Sequence, residues 1–243
     1  MIGVFKPAKH IDPVSDEEVD QDYKKLRFQV FLGIFIGYAG YYLVRKNFTL
    51  AIPSLVEEGF SRTELGSALS GVAIAYGLSK FIMGSVSDRS NARVFMSFGL
   101  MASAFCMIFM GTSPIALSSV WIMFFILLVN GWFQGMGWPP SGRIMVHWFS
   151  SRERGRAVSF WNVAHNVGGG MVGILAVWGM IIFDGDYKSV FYFHGMIAIV
   201  ISIFIWFTVR DTPQSQGLPS IEKYHDNYPI AFQYDESHEK EFS

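Results

Sequence analysis

Residues 94–113 read Val-Phe-Met-Ser-Phe-Gly-Leu-Met-Ala-Ser-Ala-Phe-Cys-Met-Ile-Phe-Met-Gly-Thr-Ser, twenty consecutive positions without a charged side chain. A helix needs about 20 mostly apolar residues to cross the hydrocarbon core of a bilayer. The stretch does not alternate between polar and apolar positions, as a membrane-spanning β-strand does. It therefore predicts a transmembrane α-helix and an all-α membrane protein.

Five more apolar stretches of similar length flank this one, at 28–54, 65–87, 119–148, 157–182 and 188–209. Short polar segments join them, so we predict six transmembrane helices in a domain over residues 27–210. Residues 1–26 form a polar N-terminal arm without the apolar core of a signal peptide, and we expect no cleaved signal. Residues 211–243 contain three prolines and a charged run, which is typical of a linker.

Six helices followed by a linker predict one half of a twelve-helix transporter, in which two six-helix halves face each other across a site near the bilayer midplane. We expect the C-terminal half to lie outside this sequence. Lys and Arg are frequent in the arm, in the second-to-third and fourth-to-fifth loops and in the tail, whereas the three opposite loops together hold only Arg62 and Lys188. The positive-inside rule then places both termini in the cytoplasm.

The composition argues against several classes of function. The formal net charge is only -1, so the charge balance does not indicate a nucleic-acid partner. The single cysteine excludes a disulfide framework, and the apolar stretches contain neither a cluster of metal ligands nor a nucleophile paired with a base. We expect no metal, no cofactor and no enzymatic activity.

Arg45, Lys46 and Lys80 lie inside apolar stretches, and none of these stretches contains Asp or Glu. A cation at membrane depth costs about 2.5–3.5 kcal/mol on insertion scales unless it finds a partner. Because the chain offers no carboxylate at that depth, we expect the partner to be an anionic substrate. Lys80 could instead snorkel to the surface, and Lys46 could snorkel or pair with the second half.

Other polar side chains share helix faces with these cations. Tyr38, Tyr42 and Arg45 are spaced to lie on one face, and a tyrosine precedes Lys80 by one turn. In the fifth helix, polar residues at spacings of three and four face one way, although a lone histidine could simply make a structural hydrogen bond. The predicted substrate-binding residues are Arg45, Lys46, Lys80, Tyr38, Tyr42, Tyr76, Asn162, His165 and Asn166.

Three motifs indicate a conformational role. The loop Gly84-Ser-Val-Ser-Asp-Arg-Ser-Asn-Ala-Arg93 matches the G-x-x-x-D-[RK]-x-x-x-R loop of the major facilitator superfamily, and Arg152-Glu-Arg-Gly-Arg-Ala157 resembles its R-G-x-A turn. Charges at these helix ends can pair in one state and separate in another, although a plain positive-inside loop would look similar. The paired prolines of Gly131–Pro140 predict a kinked fourth helix. The expected coupling residues are Gly84, which would allow close helix approach, Asp88, Arg89, Arg93, Arg154 and Arg156.

The chain also resembles the N-terminal half of the bacterial glycerol-3-phosphate transporters of the organophosphate:phosphate antiporter family. The resemblance rests on Tyr41–Asn47, Ala75–Phe81, Gly84–Arg93, Gly131–Pro140 and Trp161–Gly170. It implies exchange of glycerol 3-phosphate for inorganic phosphate across a bacterial inner membrane. It also implies that Arg45 binds phosphate, that Lys80 and His165 assist, and that Tyr38 and Tyr42 line the pore. Three alternatives stay open: a sugar-phosphate transporter, a sugar-phosphate receptor without flux, and an inactive truncated fragment.

Overall fold

The computed structural model describes residues 5–225, which form helices and connecting turns without a β-strand. Six spans in this range are long and apolar enough to cross a membrane, and two of them are interrupted. The prediction of an all-α protein with six membrane spans is therefore confirmed. The helices are α1 (Asp16–Glu57), α2 (Arg62–Asp88), α3 (Ala92–Thr112), α4 (Val120–Gln134), α5 (Trp138–Trp148), α6 (Arg154–Asn162), α7 (Ala164–Ile182), α8 (Ser189–Thr208) and the short α9 (Ile221–His225).

Local capping signals set two of the helix starts. At the start of α2, the backbone N–H of Glu64 donates to Ser61 Oγ at 3.2 Å, and the Ser61 backbone N–H donates to the Glu64 carboxylate at 2.8 Å. This capping box satisfies donors that a helix end leaves open. At the start of α3, the Asn91 side chain accepts from the backbone N–H of Arg93 at 3.1 Å. These caps allow short loops on both sides of α2.

The fourth span is kinked, as the sequence predicts. Helix α4 ends at Gln134, and α5 begins at Trp138 with Pro139 and Pro140 in its first turn. Proline is tolerated there because the first helical N–H groups have no partner in the helix. The fifth span is also interrupted, between α6 and α7 at Val163, where the sequence has no proline and we predicted a continuous helix.

Glycines bring α2 and α4 into backbone contact. A Cβ on Gly131 would lie 2.6 Å from the Val72 carbonyl oxygen, and one on Gly71 would lie 2.7 Å from the Phe124 carbonyl oxygen. Small residues that let helix backbones approach are typical of membrane bundles. Helix α3 packs along α8, and α1 packs along both α7 and α8, so α1 lies centrally in the bundle.

The two ends of the described chain contact each other. The N–H of Val14 donates to the Gly217 carbonyl at 3.0 Å, and the Tyr224 hydroxyl donates to Asp20 at 2.6 Å. That Asp20 contact raises the pKa of the Tyr224 hydroxyl. Both ends therefore lie on the same side of the bundle. Helix α1 begins at Asp16, inside the segment that we described as an arm, and residues 211–225 pack against the bundle.

Candidate functional site

Arg45 on α1 occupies the centre of an aromatic and cationic cluster. Its guanidinium carbon lies 4.0 Å from the centre of the Tyr76 ring on α2 and 4.6 Å from the Tyr42 ring on its own helix. The Lys80 ammonium lies 4.8 Å from the same Tyr76 ring. The packing of α1 against α2 thus unites two cations that are 35 residues apart in the sequence.

The cluster continues towards the fifth span. The Tyr42 ring is 5.6 Å from the His165 ring and 5.6 Å from the Tyr38 ring, measured between ring centres. The Lys46 ammonium is 5.8 Å from the Tyr42 ring. The structure therefore brings together seven of the nine predicted substrate-binding residues: Arg45, Lys46, Lys80, Tyr38, Tyr42, Tyr76 and His165. Asn162 and Asn166 are exposed, and the structure describes no contact between them and the cluster.

Among the side chains that the structure describes, none that is acidic pairs with the cluster. The ion pairs described there join Lys24 to Asp20, Arg27 to Glu153, Arg143 to Asp211 and, if the histidine is protonated, His225 to Glu153. All of them lie at the end of the bundle that carries the chain ends. Cation–π contacts recover only part of the lost hydration of a cation. Arg45, Lys46 and Lys80 therefore form no ion pair among the described residues.

Gln134, which we did not predict as a site residue, holds the central arginine. Arg45 Nε donates to Gln134 Oε1 at 3.0 Å, and Gln134 Nε2 donates to Ser103 Oγ at 3.3 Å. Arg45 Nη2 is buried and has no hydrogen-bond partner in the described chain. An isolated glutamine in an apolar helix is the sequence signal that could have identified this residue.

The predicted coupling residues lie at the end of the bundle with the chain ends. Asp88 and Arg89 are exposed, and Asp88 pairs with neither Arg89 nor Arg93 in the described chain. Arg93 instead lies over the Trp206 ring at 4.9 Å. The close helix approach expected at Gly84 is wrong for residues 5–225, because a side chain there would meet nothing within 4 Å.

The other two coupling candidates surround the fourth-to-fifth loop. Arg154 donates to the backbone carbonyls of Phe149 and Val146, at 3.2 and 3.3 Å, so it stabilises the end of α5. Arg156 is exposed. Neither forms an ion pair in the described part of the chain.

Near the loop between α2 and α3, an ion pair joins Arg143 to Asp211 at 3.3 Å. Arg143 also donates to the backbone carbonyls of Ser87 and Ser90. We did not predict either partner. The signal for Arg143 was its position inside the apolar stretch 119–148, where it is a fourth cation.

A bundle of six membrane-length helices with an unpaired cationic cluster has the architecture of half of a helical membrane transporter. Residues 34–236 match the family model described as Major Facilitator Superfamily, and this chain belongs to that superfamily. The expected fold class, one half of a twelve-helix major facilitator fold, is confirmed.

Two relatives define the nearer similarity. The chain is 58% identical over 229 residues to the "Glycerol-3-phosphate transporter" of Bacillus subtilis (strain 168), covering 94% of this chain and 51% of the relative. It is 52% identical over 240 residues to the "Glycerol-3-phosphate transporter" of Haemophilus influenzae (strain Rd), covering 94% and 50%. The chain thus spans about half the length of the curated relatives it matches, which fits an N-terminal half.

A solved structure supports the fold alone. A bacterial homologue of the human lysosomal transporter Spinster, in an inward-facing and unoccupied conformation, superposes with a TM-score of 0.64 at 18% identity. The similarity covers 79% of this chain and 44% of that one. At this identity the likeness concerns the helical architecture and not the substrate.

Proposed function

We propose that this chain is the N-terminal half of a secondary active transporter that exchanges glycerol 3-phosphate for inorganic phosphate by alternating access. The observation that carries the proposal is the half-buried Arg45 side chain. Its buried Nη2 has no hydrogen-bond partner, and its positive charge has no acidic partner among the described residues. The names of the two relatives supply the substrate. The role is transport across a bacterial inner membrane, with both chain ends cytoplasmic, and not catalysis.

Arg45 is the phosphate-binding residue in this proposal. A guanidinium presents a planar fork of donors that matches two phosphate oxygens. Lys80 adds a compact charge that attracts the anion without a fixed geometry. His165 assists through its contact with Tyr42, while Tyr38 and Tyr42 form the wall of the pathway. Asn162 and Asn166 are exposed and would contact the substrate from the edge of the cluster.

The exchange follows from electrostatics. An empty site leaves several cations facing one another, which disfavours closure of the two halves. A bound phosphate offsets this repulsion and so binds the closed arrangement more tightly than the open one, which is the condition for a ligand to shift a conformational equilibrium. The C-terminal six-helix half is the partner that completes the site. Gly84, Asp88, Arg89, Arg93, Arg154 and Arg156 would couple this movement to the cytoplasmic loops.

The test measures exchange of labelled phosphate in vesicles. The vesicles contain this chain together with the C-terminal half of the Bacillus subtilis relative, and we call this pair of halves the paired transporter. Arg45→Ala should abolish exchange, and Arg45→Lys should lower it strongly because a lysine lacks the bidentate fork. Arg62→Ala, which removes an exposed cation at the start of α2, is the matched control and should exchange normally.

Two results would contradict the proposal. One is wild-type exchange by Arg45→Ala, and the other is the absence of exchange by the unmutated paired transporter. Phosphate binding without flux would identify a receptor in place of a transporter.

A further inference from the structure

The Arg45 guanidinium is restricted on three sides. The Tyr42 and Tyr76 rings lie within 4.6 Å of its central carbon, and its Nε–H is occupied by Gln134. A guanidinium has five N–H donors, four of them on its two terminal nitrogens. One of those nitrogens, Nη2, is buried and unpartnered in the described chain.

The Gln134 side chain is fixed by burial and by a hydrogen bond of its own. Its side chain is buried, with 1% of its surface exposed, and its Nε2 donates to Ser103 Oγ on α3. It is the last residue of α4, directly before the break at Gly135. A Cβ at Gly135 would collide with the Ser79 side chain, so the backbone at this point is pressed against α2.

The amide has a defined orientation. Since Ser103 receives the Nε2 donor, the Oε1 acceptor of Gln134 faces the Nε–H of Arg45. A neutral acceptor at this place orients the guanidinium and leaves its positive charge available. A carboxylate at the same place would orient it equally well but would neutralise it.

We propose that Gln134 is a positioning residue that aims the Nη1/Nη2 edge of Arg45 at the phosphate group of the substrate. This inference rests on the proposed function and adds a residue on a third helix to the site. Gln134 does not contact the phosphate in this proposal; it acts through Arg45.

The experiment measures the equilibrium affinity of the paired transporter for inorganic phosphate, in detergent, with labelled phosphate. Gln134→Leu removes the acceptor and should raise the phosphate Kd about tenfold, as expected for the loss of a hydrogen bond to a charged group. Gln134→Glu keeps an acceptor at Nε but adds a charge that competes with phosphate, so its Kd should rise further. Ser103→Ala should give a smaller increase in the same direction.

Asn130→Leu is the matched control. Asn130 lies one turn before Gln134 on α4, is buried, and donates through Nδ2 to the Val44 carbonyl at 3.0 Å. The structure describes no hydrogen bond between its side chain and that of Arg45. Its loss removes a buried α1–α4 hydrogen bond but leaves the guanidinium free to bind. We expect its phosphate Kd to stay within about twofold of the unmutated value.

Three results would overturn the proposal: a Gln134→Leu affinity within twofold of wild type, an equal loss in Asn130→Leu, or wild-type affinity in Gln134→Glu. The last would show that a carboxylate beside Arg45 does not compete with phosphate, which contradicts the role proposed for a neutral acceptor at this place. If Gln134→Leu does not accumulate, Gln134→Glu and Ser103→Ala decide the question. Unchanged phosphate affinity in Arg45→Ala would instead reject the proposed function itself, which separates the two failures.

Discussion

The substitution of Asp211 should have a large effect on stability, because its one buried carboxylate contacts three separate parts of the chain. It accepts from the backbone N–H of Ala8 at 3.0 Å and from that of Ala92 at 2.9 Å, and it pairs with Arg143 at 3.3 Å. The Asp211 side chain is 1% exposed and that of Arg143 is 11% exposed. The substitution Asp211→Ala would leave a buried cation and two backbone donors without their acceptor.

The expected cost follows from these contacts. Removing one partner of a buried ion pair typically costs about 3–5 kcal/mol of unfolding free energy. Asp211→Asn keeps one oxygen acceptor but loses the charge, so we expect about 2 kcal/mol. For a chain of this size, a loss of 3 kcal/mol lowers the melting temperature by about 6 °C or more. The double variant Asp211→Ala/Arg143→Ala should be less destabilised than the sum of the single variants, because the unpaired cation is gone.

Thermal unfolding followed by tryptophan fluorescence measures this effect. Trp148 is fully buried, and its indole N–H donates to the Arg210 carbonyl at 3.3 Å, next to the substituted position. Asp88→Ala is the control, since Asp88 is an exposed carboxylate at the same end of the bundle without an ion pair in residues 5–225. A melting temperature of Asp211→Ala within 2 °C of the control would show that Asp211 does not hold these three parts of the chain together.

Three further predictions concern packing, a half-buried ion pair and topology. Gly131→Ala should cost about 1–3 kcal/mol of unfolding free energy, measured by thermal unfolding, because its Cβ would press on the Val72 carbonyl. In Gly170→Ala, the control, the new Cβ would meet nothing within 4 Å, so this variant should be neutral or slightly stabilising. Equal effects of the two substitutions would contradict the close approach of α2 and α4. Arg27→Ala should cost about 1 kcal/mol of unfolding free energy in the same assay. Its two hydrogen bonds to Glu153 are short, at 2.7 Å, but both side chains are more than a quarter exposed, and exposed ion pairs stabilise little. A loss above about 3 kcal/mol would contradict this expectation. A green fluorescent protein fused after residue 225 should fluoresce if that end of the chain is cytoplasmic. A dark fusion, together with activity of a periplasmic reporter fused at the same position, would show the opposite orientation.

The sequence was sufficient to predict the spans, because helix length and apolar composition are imposed by the thickness of the membrane. The start of α1 was not predictable in the same way. Residues 16–26 are mostly polar, and polarity alone does not distinguish an exposed helix from a loop. The break at Val163 was missed for a related reason, since no proline or other breaker in the sequence marks it.

Some residues of the site could likewise be predicted from the sequence, and others could not. Arg45, Lys80 and the tyrosines could be selected individually because charge and hydroxyl groups are rare at membrane depth. Their mutual contact through Tyr76 depends on how α1 packs against α2. The spacing of residues within one helix gives no information about that packing. Gln134 and the Arg143–Asp211 pair escaped prediction because their partners are 89 and 68 residues away. Long-range pairs of this kind require the tertiary structure.

We expect Arg45 and Lys80 to face a shared site for phosphate and not to reach lipid headgroups. A crystal structure of the paired transporter grown with arsenate, a phosphate analogue with a strong anomalous signal, tests it most directly. We expect an anomalous peak at a position where arsenate oxygens lie about 2.7–3.2 Å from the Arg45 Nη atoms and the Lys80 ammonium. A peak confined to the loop arginines, or cation tips turned outward to the lipid surface with the interior empty, would contradict it.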